Sequence, residues 1–239
     1  FYTESEILLS TSSGSGLMEG AIRSCTSRKA AVFSCGAFGD RWYKMAVTNN
    51  VKADLYNVDM GKAITPEMVE TALATGQYDL IAVQHNETST GITNPIEEIA
   101  EVVNKYKDVI FCVDAVSSAG GAKIEVDKLG IDILITSTQK ALGLPPGMAI
   151  CTFSERAIKR AETVEFRGTY FDLLAMYKYL KKKNYQYPST PSLSHMFAMD
   201  YQLDNILKEG LDKRFKRHEE MANLVRAWAQ KHFELFTDK

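Results

Sequence analysis

The sequence predicts an α/β domain of three layers, with a mostly parallel seven-stranded sheet between two layers of helices. Several short apolar runs are continuous in Val, Ile, Leu and Ala, which is typical of strands buried on both faces. These runs alternate with helical stretches, and such alternation favours right-handed crossovers between parallel strands. The 239 residues, 45% of them hydrophobic and 24% charged, suffice for one large domain of this kind.

Each element follows from the local pattern. The uninterrupted apolar runs predict strands at 5–10, 30–34, 53–58, 79–84, 109–113, 132–136 and 148–153. The stretches between them predict helices at 16–24, 40–49, 65–75, 95–105 and 126–129. Beyond residue 150 the pattern becomes helical, at 154–164, 172–183, 195–208 and 212–236. The last of these has an apolar stripe on one face, which predicts an amphipathic helix; its residues are Met221, Leu224, Val225 and Trp228.

Composition excludes several classes of function. The formal net charge of -2 implies no general attraction to nucleic acid or to an anionic membrane. No apolar run approaches the roughly 18 residues of a membrane span, and the first residues do not form a signal-peptide pattern. Four scattered cysteines are expected to be buried and reduced, which favours a cytoplasmic location. The four histidines show no clustered spacing, so we expect no metal site.

The unusual residues follow predicted strands at the point where each strand ends. They are Ser-Ser-Gly-Ser-Gly at 12–16, Gly-Ala-Phe-Gly at 36–39, the segment 85–91, Asp114, and Gln-Lys at 139–140. In open α/β sheets, ligands bind beyond the carboxyl ends of the strands. We therefore expect these five segments to build one site.

Lys140 and Asp114 suggest the chemistry of that site. A charged group at the end of a buried strand is costly unless it is paired or used covalently. A lysine that bonds a carbonyl cofactor, with an aspartate that keeps the cofactor's ring nitrogen protonated, is typical of pyridoxal-phosphate enzymes. The alternatives are a helix cap for Asp114 and a lysine that reaches solvent from a loop.

The remaining segments fit a phosphate and an aromatic ring. The Ser/Gly loop precedes a helix and could bind a phosphate, although it could also be an ordinary turn. It matches neither nucleotide-binding glycine pattern. Phe38 could stack on a cofactor ring or belong to the core, and Thr88 could hydrogen-bond a phenolic oxygen or stabilise a turn.

A longer string of motifs resembles the class V aminotransferases, and within them the alanine–glyoxylate and serine–pyruvate group. Its parts, in order, are Ser13-Gly14, Glu87-Thr-Ser-Thr-Gly91, Val113-Asp-Ala-Val-Ser-Ser118, Gly120-Gly121, Gly130-Ile-Asp-Ile133, Ser137-Thr-Gln-Lys140 and Pro145-Pro-Gly147. The resemblance implies the large domain of the pyridoxal-phosphate transferase fold of type I. It also implies transfer of an amino group between a small amino acid and a 2-oxo acid such as glyoxylate or pyruvate.

The resemblance assigns roles to residues of this chain. Lys140 is expected to form the Schiff base with pyridoxal phosphate, and Asp114 to pair with the pyridine nitrogen. Phe38, where the animal enzymes carry tryptophan, and Val116 are expected on opposite faces of the ring. Thr88 is expected at the ring hydroxyl. The expected phosphate ligands are Ser13, Gly14, Ser15 and Gln139.

The resemblance also implies a homodimer. The segment 187–190, Tyr-Pro-Ser-Thr, is similar to the family's stretch that reaches the partner's phosphate, so Tyr187 and Thr190 are expected to serve the other subunit. Residues 1–239 are expected to form the cofactor-binding large domain, without the family's N-terminal arm and small C-terminal domain. The arginine that binds the substrate carboxylate in the family has no assignable counterpart in this chain.

Three other functions compete with this hypothesis. A desulfurase-like lyase of the same cofactor class places histidine before the lysine and on the ring, where this chain has Gln139 and Phe38. A sensing domain could bind the cofactor without turnover. A plain nucleotide-binding α/β protein is the third, although no phosphate motif supports it.

Overall fold

The computed structural model describes residues 1–182 and 186–236 of the chain. Nine strands are assigned within these ranges. They are β1 Glu6–Ser10, β2 Ala30–Ser34, β3 Ala53–Asn57, β4 Leu80–Gln84, β5 Asn86–Glu87, β6 Ile92–Thr93, β7 Ile110–Asp114, β8 Ile133–Ser137 and β9 Ala149–Phe153. Seven of them form one sheet in the order β1-β9-β8-β7-β4-β2-β3, and β5 pairs with β6 in a separate hairpin. The seven predicted strands are confirmed to within one residue at each end.

The sheet is mostly parallel, as predicted, and β9 is the strand that runs the other way. It pairs antiparallel with β8 on one side and with β1 on the other. The connection from β8 to β9, residues 138–148, contains no helix. A parallel crossover needs a dozen or more residues and usually a helix, so this short connection requires the strand to turn back. The other six strands all run in the same direction, so their carboxyl ends meet at one edge of the sheet.

Helices cover both faces of the sheet. They are α1 Gly14–Cys25, α2 Ala37–Thr48, α3 Pro66–Leu73, α4 Ile96–Val103, α5 Val126–Leu129, α6 Glu155–Thr163, α7 Leu173–Leu180, α8 Leu193–Glu209 and α9 Leu211–His232. One core lies under α1, α2, α6 and α7, and the other lies under α3, α4 and α5. The three-layer α/β/α architecture is therefore confirmed.

Neighbouring residues of a central strand feed opposite cores, because side chains alternate across a sheet. In β7, Phe111 and Val113 pack in the core of α3 and α4, whereas Ile110 and Cys112 pack in the core of α1 and α2. All five residues of this strand are buried. This two-sided burial explains the continuous apolar runs in the sequence.

The helix predicted at 212–236 is present as α9, but its apolar stripe does not pack against the described chain. Met221, Leu224, Val225 and Trp228 are all exposed. The four cysteines, in contrast, are buried and unpaired, as predicted. Within the described ranges, no helix combines the length and the apolar character that a bilayer crossing requires.

Candidate functional site

A cleft of about 320 Å³ lies at the carboxyl edge of the sheet. It brings together nine of the predicted site residues, from segments that follow five different strands: Ser13, Gly14, Ser15, Phe38, Thr88, Asp114, Val116, Gln139 and Lys140. The expectation that these segments build one site is therefore met by the geometry. Four further residues line the cleft, namely Met18, Arg41, Asn86 and Ser117.

One end of the cleft is formed by the Ser/Gly loop and the start of α1. Ser13 is the N-cap residue of α1, and its side chain makes no capping hydrogen bond. The first turn of α1 contains no acidic residue. The first N–H groups of a helix have no partner inside it, and the helix dipole favours an anion there. This end of the cleft therefore suits a phosphate group.

Gly14 has no side chain, so a ligand in the cleft can come close to the backbone of the Ser/Gly loop. A Cβ atom on this residue would lie 2.7 Å from Cγ2 of Val116, closer than two carbon atoms can pack without a shift. A ligand that touches both the loop and Val116 therefore meets bare backbone at Gly14. Ser137, at the end of β8, lies behind the glycine, with its buried Oγ atom unpartnered.

Asp114 is buried at the carboxyl end of β7, with 4% of its surface exposed. Its Oδ1 accepts a hydrogen bond of 2.9 Å from the backbone N–H of Val116, and its Oδ2 accepts one of 3.5 Å from Nε1 of the fully buried Trp42. Burial raises the pKa of the Asp114 carboxyl to about 6, against the opposing effect of these two donors. Such a carboxyl gains most from a cationic ligand group that reaches it from the cleft.

Phe38 is fixed by a carboxylate to which the sequence analysis assigned no role, although it begins one of the motifs. Glu87, which is fully buried in β5, accepts hydrogen bonds at Oε2 from the backbone N–H groups of Phe38 (3.0 Å) and Gly39 (3.1 Å). Its Oε1 accepts from the N–H (3.0 Å) and Oγ (2.7 Å) of Ser89. The carboxylate therefore binds the start of α2 and holds the half-buried ring of Phe38 at the cleft.

Lys140 lies on the loop between β8 and β9. The loop is closed by hydrogen bonds from the N–H of Leu144 to the Thr138 carbonyl (3.0 Å) and from the N–H of Gly143 to the Lys140 carbonyl (2.9 Å). The side chain of Lys140 is exposed in the single chain, so the expected cost of a buried ammonium group does not arise there. Next to it, the buried Oε1 of Gln139 has no hydrogen-bond partner.

Arg41 is a cleft residue that the sequence analysis missed. It lies one helical turn after Phe38 in α2, and its guanidinium carbon is 4.8 Å from the centre of the Phe38 ring. Its Nη1 donates a hydrogen bond of 3.1 Å to Oγ of Ser15. The spacing of three residues from Phe38 was the available signal, because residues at i and i+3 share a helix face.

Tyr187 and Thr190 do not line the cleft of their own chain. Tyr187 borders a small cavity together with Thr11, the residue that directly precedes the Ser/Gly loop. The carbonyl of Thr190 accepts a hydrogen bond of 3.3 Å from Oγ1 of Thr11. The segment therefore lies beside the loop but outside the cleft, and its predicted role in a second subunit stays a prediction.

The residues of the cleft fit pyridoxal phosphate. Asp114 offers a buried carboxylate for a protonated ring nitrogen. Gly14 leaves open the space that a Cβ atom would fill, beside a helix start suited to a phosphate. Lys140 supplies the primary amine that an aldehyde requires.

Comparisons with known proteins point the same way. The family profile described as Aminotransferase class-V matches residues 29–231. The chain is 41% identical over 233 residues to an uncharacterized aminotransferase of Methanocaldococcus jannaschii, covering 95% of this chain and 60% of that protein. It is 30% identical over 231 residues to the L-aspartate–glyoxylate aminotransferase of Paracoccus denitrificans, covering 94% of this chain and 58% of that protein.

Solved structures share the architecture. The alanine–glyoxylate aminotransferase of Nostoc sp. superposes with a TM-score of 0.87 at 27% identity, covering 98% of this chain and 64% of that one. The chain spans about 60% of the length of the curated relatives that it matches.

Proposed function

The chain belongs to the class-V aminotransferase family, and from this premise we propose that its protein is a pyridoxal-phosphate-dependent aminotransferase. The proposed reaction moves an amino group between a small amino acid and a 2-oxo acid of the glyoxylate or pyruvate type. The observation that carries the proposal is that Lys140 and Asp114 line one cleft, at whose other end a helix begins without an acidic residue.

When bound, pyridoxal phosphate withdraws electrons from the amino acid's Cα and so makes its proton removable. Lys140 Nζ would bond the cofactor's aldehyde carbon. Once the substrate amine has replaced it there, the free Lys140 amine would accept the Cα proton as general base and donate a proton as general acid. Asp114 would place its negative charge against the ring nitrogen. Phe38 and Val116 would lie on the two faces of the ring, and Thr88 would hydrogen-bond the ring oxygen. Ser13, Gly14, Ser15 and Gln139 would bind the phosphate.

The substrate class is supported by the names of relatives. The Paracoccus relative is an L-aspartate–glyoxylate aminotransferase, and a relative from Arabidopsis thaliana, 29% identical over 229 residues, is a serine–glyoxylate aminotransferase. A rabbit relative, 35% identical over 184 residues, is an alanine–glyoxylate aminotransferase. The shared acceptor in these names is glyoxylate, and we propose the same acceptor class here, with a small amino acid as donor.

A desulfurase-like lyase is the alternative of the same cofactor class. Gln139 precedes the lysine and Phe38 stands at the ring position, so no imidazole is available at either point. A cysteine desulfurase from Thermococcus onnurineus superposes with a TM-score of 0.71 at 19% identity, a likeness that concerns the fold alone. The residues of the cleft therefore favour amino transfer.

We further propose that residues 1–239 act as the cofactor-binding domain, and that two copies assemble so that Tyr187 and Thr190 reach the partner's phosphate site. Support for the second point comes from the position of this segment beside the Ser/Gly loop and outside its own cleft. Four buried, unpaired cysteines support a reducing compartment such as the cytoplasm.

Borohydride labelling tests the proposed function directly. The purified protein is mixed with pyridoxal phosphate, and an absorbance band at roughly 400–430 nm is expected from the covalent lysine–cofactor bond. Reduction with borohydride followed by peptide mapping should place the label on Lys140, and Lys140→Ala should remove both band and label. In a separate, unreduced sample, alanine, serine or aspartate should shift the band, and glyoxylate should restore it. A label on another lysine, or a band untouched by amino acids, contradicts the proposal.

A further inference from the structure

We propose that Arg41 supplies the positive charge that balances the cofactor's phosphate in this cleft. The inference rests on the proposed function, since it concerns the same cofactor, and it assigns a role to a side chain that the resemblance leaves without one.

The need for a cation follows from the charges of the other phosphate ligands. A phosphate monoester carries a charge of about -1.5 to -2 at neutral pH. The ligands expected at this end of the cleft, namely Ser13, Gly14, Ser15 and Gln139, are all neutral. Tyr187 and Thr190 add no charge either. The helix dipole of α1 offsets only part of the phosphate charge, being equivalent to about half an elementary charge.

Two cationic side chains line the cleft within the described part of the chain, Lys140 and Arg41. Lys140 is committed to the aldehyde, which is attached to the ring at a different position from the phosphate. Arg41 is therefore the cation left for the phosphate.

The contacts of Arg41 place its charge at the correct end. Its Nη1 donates to Oγ of Ser15, in the first turn of α1, so the guanidinium lies beside the predicted phosphate loop. Its guanidinium carbon lies 4.8 Å from the centre of the Phe38 ring, a cation–π distance that favours this position of the group. One side chain thus connects the ring end of the cleft with the phosphate end.

The guanidinium also has capacity to spare. Arginine has five N–H donors. Among the described residues, no acidic side chain forms an ion pair with Arg41, and the hydrogen bond to Ser15 uses one donor. Burial raises the pKa of Asp114 and the charge of Arg41 partly opposes this shift, although the two side chains form no direct ion pair. A cation without a direct acidic contact among the described residues, beside a helix start that lacks acidic residues, is suited to an anion from outside the chain.

The rival role for Arg41 is purely structural, in which its side chain supports Phe38 and makes no contact with the phosphate. The two roles predict different ligand dependence. Pyridoxal and pyridoxal phosphate share the aldehyde and the ring, and they differ in the phosphate. Loss of a charge partner weakens binding of the phosphorylated compound alone, whereas loss of ring support weakens binding of both.

The experiment compares dissociation constants of pyridoxal phosphate and pyridoxal, measured from the absorbance band, for wild type, Arg41→Met, Arg41→Lys and the control Arg28→Met. Methionine keeps an unbranched side chain on Phe38 without its charge. Arg28 is exposed, pairs with Asp108 and precedes β2, at the edge of the sheet opposite the cleft. We expect R41M to raise the dissociation constant of pyridoxal phosphate by roughly tenfold to a hundredfold, which corresponds to the loss of one charge-assisted hydrogen bond.

We expect the dissociation constant of pyridoxal for R41M to stay within about twofold of the wild-type value, which also shows that the fold is intact. For pyridoxal phosphate, we expect the dissociation constants of R41K and R28M to lie closer to the wild-type value than that of R41M does. Added salt should weaken the binding of pyridoxal phosphate less in R41M than in wild type, because R41M lacks the charge that salt screens. Equal losses for the two aldehydes, or no loss for either, overturn the inference. Failure of wild type to form the band, or labelling away from Lys140, overturns the proposed function instead, so the two failures are distinguishable.

Discussion

Glu87 and Phe38 are joined by a hydrogen bond of 3.0 Å, which the backbone N–H of Phe38 donates to Glu87 Oε2. The donor belongs to the start of α2, and the acceptor belongs to the short β5–β6 hairpin. The carboxylate is fully buried, and each of its hydrogen bonds comes from the segment 36–39 or from Ser89. The position of the Phe38 ring therefore depends on a residue that does not itself line the cleft.

Glu87→Gln should loosen this ring. The glutamine amide has one acceptor oxygen where the carboxylate has two. Its NH2 group would face backbone N–H groups that need an acceptor, so we expect the free energy of unfolding to fall by about 2–3 kcal/mol. Pyridoxal-phosphate affinity should fall as well, because Phe38 loses its support. Urea unfolding and absorbance titration measure the two effects. The matched control is Glu98→Gln on the exposed face of α4, and behaviour of E87Q like that of E98Q would contradict the prediction.

Gly14→Ala should push Val116 toward the ligand. The new Cβ would lie 2.7 Å from Val116 Cγ2, and a valine side chain has few alternative rotamers. We expect pyridoxal-phosphate affinity to fall by about tenfold, the effect of roughly 1.4 kcal/mol of strain. The double variant G14A/V116A removes the clash, so it should bind more tightly than G14A alone. If the second substitution instead adds to the loss, contact with Val116 is not the cause.

Asp114→Asn should stabilise the cofactor-free protein in a pH-dependent way. Burial raises the pKa of Asp114 to about 6, against about 3.9 in an unfolded chain. A raised carboxyl pKa contributes stability below about pH 4 that is lost as the pH rises through about 6. Since D114N cannot ionise, we expect it to be more stable than wild type by about 2–3 kcal/mol at pH 8, and by little at pH 4.

Urea unfolding at several pH values between 4 and 8 measures this difference. The exposed Asp200→Asn is the control and should show no such trend. The same D114N protein should bind pyridoxal phosphate poorly, because asparagine carries no charge for the ring nitrogen. A stability difference that stays constant across the range is the outcome that speaks against a raised pKa.

Mixing two inactive variants tests whether Tyr187 serves the partner. In a dimer of Lys140→Ala with Tyr187→Ala, a site shared between subunits leaves one site complete, whereas a site within one subunit leaves none. Random mixing gives half mixed dimers, each with one working site of two, so we expect recovery of about a quarter of wild-type activity. Activity is followed as glyoxylate-dependent amino transfer, with each variant alone as control. Absence of recovery in proven mixed dimers means that Tyr187 acts within its own subunit.

Arg160→Met should affect stability without affecting the cleft. Arg160 Nη1 forms an ion pair of 3.1 Å with Oδ2 of the buried Asp79, which precedes β4 at the opposite edge of the sheet. Removing one member of a buried pair costs about 3 kcal/mol. We expect urea unfolding to show this loss while the pyridoxal-phosphate dissociation constant stays within about twofold of wild type. A large change in that constant would show that stability losses reach the cleft indirectly, and it would weaken the interpretation of E87Q.

The sequence predicted the strands and the cleft residues well, because both depend on local pattern. Continuous apolar runs marked strands such as β4 and β7, and their carboxyl ends located Asp114 and Lys140 at one edge. The reversal of β9 carried a readable signal in the short, helix-free connection at 138–148, yet the strand order did not, because pairing partners lie far apart in the chain.

Glu87, Trp42 and Arg41 show what the pattern does not reveal. The hairpin that carries Glu87 has strands of two residues each, too short for any periodicity. Trp42 fits an ordinary core position of an amphipathic helix, and its hydrogen bond to Asp114 depends on a tertiary contact. The exposed stripe of α9 shows the converse, since an apolar face indicates burial without saying what buries it.

The antiparallel pairing of β1 with β9 has a consequence for how the protein is made. Leu8 lies opposite Cys151, so the two strands are separated by well over a hundred residues of chain. Contacts between such distant segments form late, after local helices and neighbouring strands. During translation, β1 and the Ser/Gly loop that follows it are therefore expected to take their place in the sheet only after β9 has been synthesised. We therefore expect the cleft to reach its final form, and to bind its ligand, only after β9 has been synthesised and has paired with β1.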